Sequence, residues 1–130
     1  VTQLTLIKKA KDSDNRIAVF CIVHNEEYIL PHFFRHYDAL GVSEYVFFDD
    51  RSTDRTLDIL ASRDDVTIYQ ADTGFGDVIG VARNGIAVRF CAALRSNFFD
   101  LMGARFQWAV IVDADEFLYL PGPFATLKAM

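Results

Sequence analysis

The sequence predicts an α/β fold, a mostly parallel sheet with flanking helices, and three observations carry that prediction. Short apolar runs alternate with segments of helical periodicity, the pattern of strand–helix units. The first run, Arg16 to Val23, is almost continuously apolar, which suits a strand covered on both faces. Polar residues directly follow three of the strands: His24-Asn25-Glu26-Glu27, Asp49-Asp50 and Asp113-Ala114-Asp115-Glu116.

Taken in order, residues 1–15 are a mixed lead-in with no clear period. After the Arg16–Val23 strand, Asn25 is placed to cap a helix, with Glu26 and Glu27 in its first turn. Leu30, Phe33, Phe34, Tyr37 and Leu40 follow at helical spacing, and Gly41 is a natural stop. Tyr45 to Phe48 is the second strand. Ser52 is placed to cap a helix carrying Leu57, Ile59, Leu60 and Ala61. Val66 to Tyr69 is the third strand, and a polar loop with Gly74 and Gly76 follows it. Ile79, Ala82, Ile86, Phe90 and Ala93 form a stripe that predicts a long helix from about Val78 to Leu101, interrupted by Gly80 and Gly85. Phe106 to Val112 reads as a buried fourth strand. Phe117 to Leu120 reads as a short fifth, ended by Pro121, and Phe124 to Met130 as the start of another helix.

Composition narrows the function classes. With 130 residues, a single domain over the whole chain is expected, long enough to bury most of its apolar surface. Hydrophobic residues make up 52% and twelve of the residues are Phe, which excludes a disordered chain. The net charge of -5 comes without a basic patch, against a nucleic-acid binder. No apolar run reaches the length of a membrane span, and the first residues lack the basic start and apolar core of a signal peptide. Cys21 and Cys91 sit among apolar residues without metal spacing. Free thiols in a reducing compartment are the expectation, hence a cytoplasmic location.

In a parallel sheet the strand C-termini share one edge, and ligands bind in the crevice outside them. The three polar segments should therefore converge. Three carboxylates in four residues at the mouth of an apolar strand call for compensation. A divalent cation bridging to phosphate is the partner that hard oxygen ligands favour. In Asp113-Ala114-Asp115, an extended backbone would turn both carboxylates the same way, with Glu116 supporting the loop and Phe117 anchoring it by packing. Asp49 and Asp50 suit the ring N–H of a uracil-like base, or else make turn and cap bonds only. Arg83 suits phosphate or base, or else a surface ion pair. His24 reads either as a pocket residue or as a satisfied strand-end histidine. His32 and His36 share a helix face but have no third ligand nearby in the sequence. Trp108 and the Phe residues read as core.

The segments Val23-His24-Asn25-Glu26-Glu27, Phe48-Asp49-Asp50-Arg51-Ser52-Thr53-Asp54 and Val112-Asp113-Ala114-Asp115-Glu116-Phe117-Leu118 together resemble family 2-like glycosyltransferases of the GT-A fold. The Leu30-to-Tyr37 helix and the Asp-Glu-Phe-Leu ending are similar to the bacterial branch of that group. The resemblance spans about Arg16 to Leu120. It implies a Rossmann-like nucleotide-sugar-binding half. Asp49, with Asp50 beside it, would bind the base. Arg83 would sit near base or diphosphate, and His24, Asn25 and Glu26 would line the nucleoside pocket. Asp113 and Asp115 would hold Mg2+ or Mn2+, with Asp113 also serving the donor. The implied donor is a UDP-sugar and the acceptor an unspecified glycan, lipid or protein. Relatives carry their catalytic base in an acceptor-binding half, expected beyond residue 130, so this chain reads as the donor-binding portion.

Two other readings stay open. One is a nucleotide-sugar-binding module of the same fold without turnover. The other is a phosphohydrolase of the haloacid dehalogenase type, which also places Asp-x-Asp after an apolar strand but near the start of its domain.

Overall fold

A computed structural model describes residues 4–14, 17–72, 74, 76–89, 94–95, 100, 105–121 and 126. The elements run β1 (Thr5–Lys8), β2 (Ile17–Val23), α1 (Leu30–Ala39), β3 (Glu44–Asp49), α2 (Thr56–Ala61), β4 (Val66–Gln70), β5 (Val78–Val81), β6 (Ala87–Arg89) and β7 (Trp108–Ile111). Five strands form one sheet in the order β1-β4-β3-β2-β7. The β2–β3, β3–β4 and β2–β7 pairs are parallel, and β1 closes one edge antiparallel to β4. The protein is thus α/β with a mostly parallel sheet.

Alternation along the central strands sends residues to two separate apolar layers. Val19, Cys21, Val23, Tyr45, Phe47 and Ile68 face the side that α1 covers with Leu30, Phe33, Phe34 and Tyr37, and α2 with Leu60. Phe20, Val46 and Phe48 face the other side, against Leu94 and the partly buried Phe106 and Tyr69. Covering both faces explains why β2 and β3 read as unbroken apolar runs.

Several boundaries differ from the sequence reading, each for a local reason. Asn25 does not cap α1. It is left-handed, with φ 53°, and its Oδ1 accepts hydrogen bonds from the backbone N–H groups of Thr53 (2.7 Å) and Asp54 (3.3 Å). The helix instead opens at Leu30, with Pro31 in its first turn, where a missing N–H costs nothing. Ser52 does not cap α2 either: its hydroxyl accepts from the Asn25 N–H at 2.9 Å, while Asp54 Oδ1 accepts from the Thr56 N–H at 2.8 Å. The two polar loops are therefore bonded to each other. Gly41 does end α1, at φ 87°. The lead-in supplies the edge strand β1.

The long helix expected from Val78 to Leu101 is overturned over its first half. Val78–Val81 and Ala87–Arg89 pair antiparallel as a hairpin. Its turn is closed by Gly85 N–H to Ala82 C=O and Ala82 N–H to Ile86 C=O, both 2.9 Å, with Gly85 at φ 84°. This is a three-residue hairpin connection with glycine at its left-handed position. Of the expected stripe, Ile79 and Ile86 are β-branched and stay exposed on the hairpin, as do Val78 and Val81. The second half lies largely outside the described residues, although Leu94 and Arg95 are helical.

Strand β7 is shorter than expected and is not a buried centre strand. Among the described residues it pairs with β2 alone, and Trp108, expected in the core, is 68% exposed. Phe117–Leu120 forms no strand. The helix expected from Phe124 lies outside the described residues, apart from Thr126.

Candidate functional site

The sheet order contains a reversal. From β2 the chain steps outward to β3 and β4, and β7 then pairs on the opposite side of β2. The C-terminal ends of β2, β3 and β7 meet at this switch point, where open α/β sheets bind ligands. Backbone bonds pin the three exits together: Asp50 N–H to Val23 C=O (2.8 Å) and Val112 N–H to Phe20 C=O (3.0 Å).

A cleft of about 420 Å³ opens there. His24, Glu26, Asp50, Arg95, Asp113 and Asp115 line it, with Ile22, Val23 and Ala114 as its apolar wall. His24 Nδ1–H donates to the Asp50 carbonyl at 2.5 Å, and the Asn25 amide donates to Nε2 at 3.4 Å. The carbonyl partner requires a proton on Nδ1. His24 is thus both a satisfied strand-end histidine and a wall of the cleft. The Asp50 side chain is 14% exposed and accepts from Arg51 Nε at 3.3 Å.

The acidic loop is a turn, and the expected extended Asp-Ala-Asp does not occur. Glu116 N–H donates to the Asp113 carbonyl (3.0 Å), and Asp113 N–H donates to Glu116 Oε1 (2.7 Å). Glu116 therefore braces the loop from within. The turn buries Ala114 in the α1-side core and leaves Asp113, Asp115 and Glu116 exposed. The carboxylates consequently escape the burial cost expected at the mouth of a buried strand. Asp113 Oδ1 pairs with Arg95 at 2.9 Å, both side chains about half exposed.

Of the eight expected site residues, the fold brings His24, Glu26, Asp50, Asp113 and Asp115 to the cleft. Three do not line it. Asn25 fastens the β3 loop. Asp49 is 1% exposed; its Oδ2 accepts from Gln70 Nε2 (2.9 Å) and from the Ser52 N–H (3.4 Å), and its Oδ1 is buried without a partner among the described residues. Strand alternation explains this, since Asp49 shares the face of Phe47 while Asp50 follows it into the open. Arg83 sits in the exposed β5–β6 turn. Arg95 is the residue that sequence reasoning missed. No motif surrounds it, and its place at the cleft depends on a chain path that periodicity did not reveal.

Negative charge dominates the cleft. Burial pushes the Glu26 carboxyl above its ordinary value of 4.5, the charges of Asp115, Asp54 and Asp113 push it further, and His24 opposes them. Burial raises the Cys21 thiol beneath, and Asp113, Glu26, Asp115 and Glu116 add to it. Asp113 and Asp115 are the residues that could hold a divalent cation, being exposed oxygen donors within this field. Among the described residues no cluster of three or more potential ligands could hold a metal, so an ion here would draw further oxygens from water and a bound phosphate, as Mg2+ commonly does.

The Glu26 shift has a testable consequence. A carboxyl whose pKa is raised on folding holds its proton more tightly in the folded state. Its effect on stability is absent below the unfolded pKa and becomes unfavourable as pH rises through the folded one. Glu26→Gln is expected to flatten the decline in urea midpoint above about pH 4.5. A variant curve that falls as steeply as wild type would contradict this.

Fold and cleft together define an α/β protein with an acidic cleft at the switch point of its sheet. No protein-family model matches the chain, and no curated protein is significantly similar to it. Among the described residues no helix is long and apolar enough to cross a membrane.

Proposed function

We propose that this chain is the donor-binding portion of a metal-dependent glycosyltransferase of the GT-A, family 2-like group, taking a UDP-sugar. The observation that carries this reading is the convergence of three separate polar segments, after β2, β3 and β7, on one cleft. Their order and composition are those of the resemblance, and a Rossmann-like donor half would place its nucleotide at this edge.

In this reading Asp113 and Asp115 hold Mg2+ or Mn2+. Such an ion, when bound, neutralises charge on a departing diphosphate. Arg95, which pairs with Asp113 and lines the same cleft, is the guanidinium this reading assigns to phosphate, a role sequence alone gave to Arg83. Asp50, which lines the cleft, takes over from buried Asp49 as acceptor for the base N–H. His24 and Glu26 line the nucleoside end. The acceptor stays a glycan, lipid or protein, and no catalytic base is assigned. A cytoplasmic location belongs to the same reading.

A binding module without turnover is the second reading. It is favoured by the commitment of Glu116, the carboxylate that follows Asp115 in the chain, to the Asp113 N–H. Assay of UDP release from a panel of UDP-sugars with Mn2+ separates the two. Slow metal-dependent release, abolished in Asp115→Ala, is expected of a transferase. UDP binding without release from any donor would favour the module, and no UDP binding at all would overturn both.

A further inference from the structure

We propose that Tyr37, with His36 beside it, is the positioning residue of the acidic loop, fixing Asp113 and Asp115 in the arrangement that takes a divalent cation. This rests on the metal-binding reading of that loop.

The loop from Asp113 to Leu118 lies outside any helix or strand. Its geometry must therefore come from what it touches. The Tyr37 ring is fully buried, packed against Phe33 with centroids 4.7 Å apart. Its hydroxyl reaches beyond the core and is used twice. It donates to the Glu116 carbonyl at 2.7 Å and accepts from the Leu118 N–H at 3.1 Å. His36 Nε2–H donates to the Leu118 carbonyl at 2.7 Å. Phe117, between these two anchored residues, stacks on Tyr37 at 10° and meets the His36 ring edge-on.

The contacts form a short mechanical chain. Tyr37 holds the Glu116 carbonyl. The N–H and carboxylate of Glu116 hold the Asp113 carbonyl and N–H in turn. Each link has a backbone group of the loop at one end, so the position of the helix sets the position of the turn. Packing alone does not require the hydroxyl, because a Phe ring would fill the same core volume. What the oxygen adds is directed at the backbone of the acidic loop. Partners of this kind orient metal ligands, and their loss typically weakens metal binding.

The test compares Tyr37→Phe, His36→Ala and His36→Gln with Phe34→Leu. Phe34 is a core residue of the same helix that packs on Tyr45 and Phe47. Two quantities are read on each protein: amide exchange over residues 113–118, and Mn2+ affinity from the free-ion electron paramagnetic resonance signal. Tyr37→Phe is expected to speed exchange in that loop and weaken Mn2+ about tenfold. His36→Ala should act in the same direction, and His36→Gln should restore binding, because its amide can donate to the Leu118 carbonyl. Phe34→Leu should lower stability and leave both readouts unchanged. Wild-type Mn2+ affinity in Tyr37→Phe, or an equal loss in Phe34→Leu, would overturn the positioning role while leaving the metal site standing. No Mn2+ binding by the wild type would overturn the metal reading and this inference with it.

Discussion

Phe33→Ala is expected to cost about 3–5 kcal/mol of folding stability, the range for removing a fully buried aromatic ring. Phe33 is 0% exposed. Its ring lies 4.7 to 6.1 Å, centroid to centroid, from those of Phe34, Tyr37, Tyr45 and Phe47. It therefore joins α1 to β3 and supports the helix that carries Tyr37. A domain of this size has a total stability of roughly 5–15 kcal/mol, so the variant should lose a large share of it. Urea denaturation followed by far-ultraviolet circular dichroism measures it. A loss below about 1 kcal/mol would show that the cavity collapses and that α1 is not held by this cluster.

Asp113→Ala is expected to leave stability near wild type and to weaken Mn2+-supported UDP binding by at least about tenfold, or 1.4 kcal/mol. Stability should hold because the Asp113 side chain is 52% exposed and its pair with Arg95 is similarly open. Exposed ion pairs of this kind contribute roughly 0–1 kcal/mol. The brace to Glu116 uses the Asp113 backbone and survives the substitution. Binding should suffer because the variant removes one of the two carboxylates that the proposed function gives to the ion. A matched pair of melting curves and calorimetric titrations separates the two effects. A large drop in melting temperature would mark Asp113 as a structural residue instead.

How much of this was legible in the sequence depended on the range of the determining contacts. The strands β2, β3 and β4 and the helix α1 were legible because burial on one or both faces writes a local period. The cleft was legible as a convergence, since parallel strands share an edge. Which of two adjacent aspartates faces that cleft was not legible: Asp49 ends the buried alternation of β3, and Asp50 is the first residue beyond it. The caps were not legible because Asn25 and Ser52 bond across 27 to 29 residues of chain instead of to their own helices, and it is Asp54 that reaches the first turn of α2. The 78–89 hairpin was misread because Ile79, Ala82 and Ile86 fit a helical stripe, while the decisive signal was Gly85 after Asn84. Arg95 gave no signal at all. The acidic turn was legible in composition but not in shape, because its conformation is imposed from α1 by Tyr37, nearly eighty residues away.

In the proposed function, the cleft between the ends of β2, β3 and β7 binds a nucleoside diphosphate through a divalent cation. Calorimetric titration of the wild-type protein with UDP, first with Mn2+ and then with excess chelator, tests it most directly. Saturable binding that Mn2+ supports and the chelator abolishes is expected. UDP affinity that is the same in both conditions would contradict it.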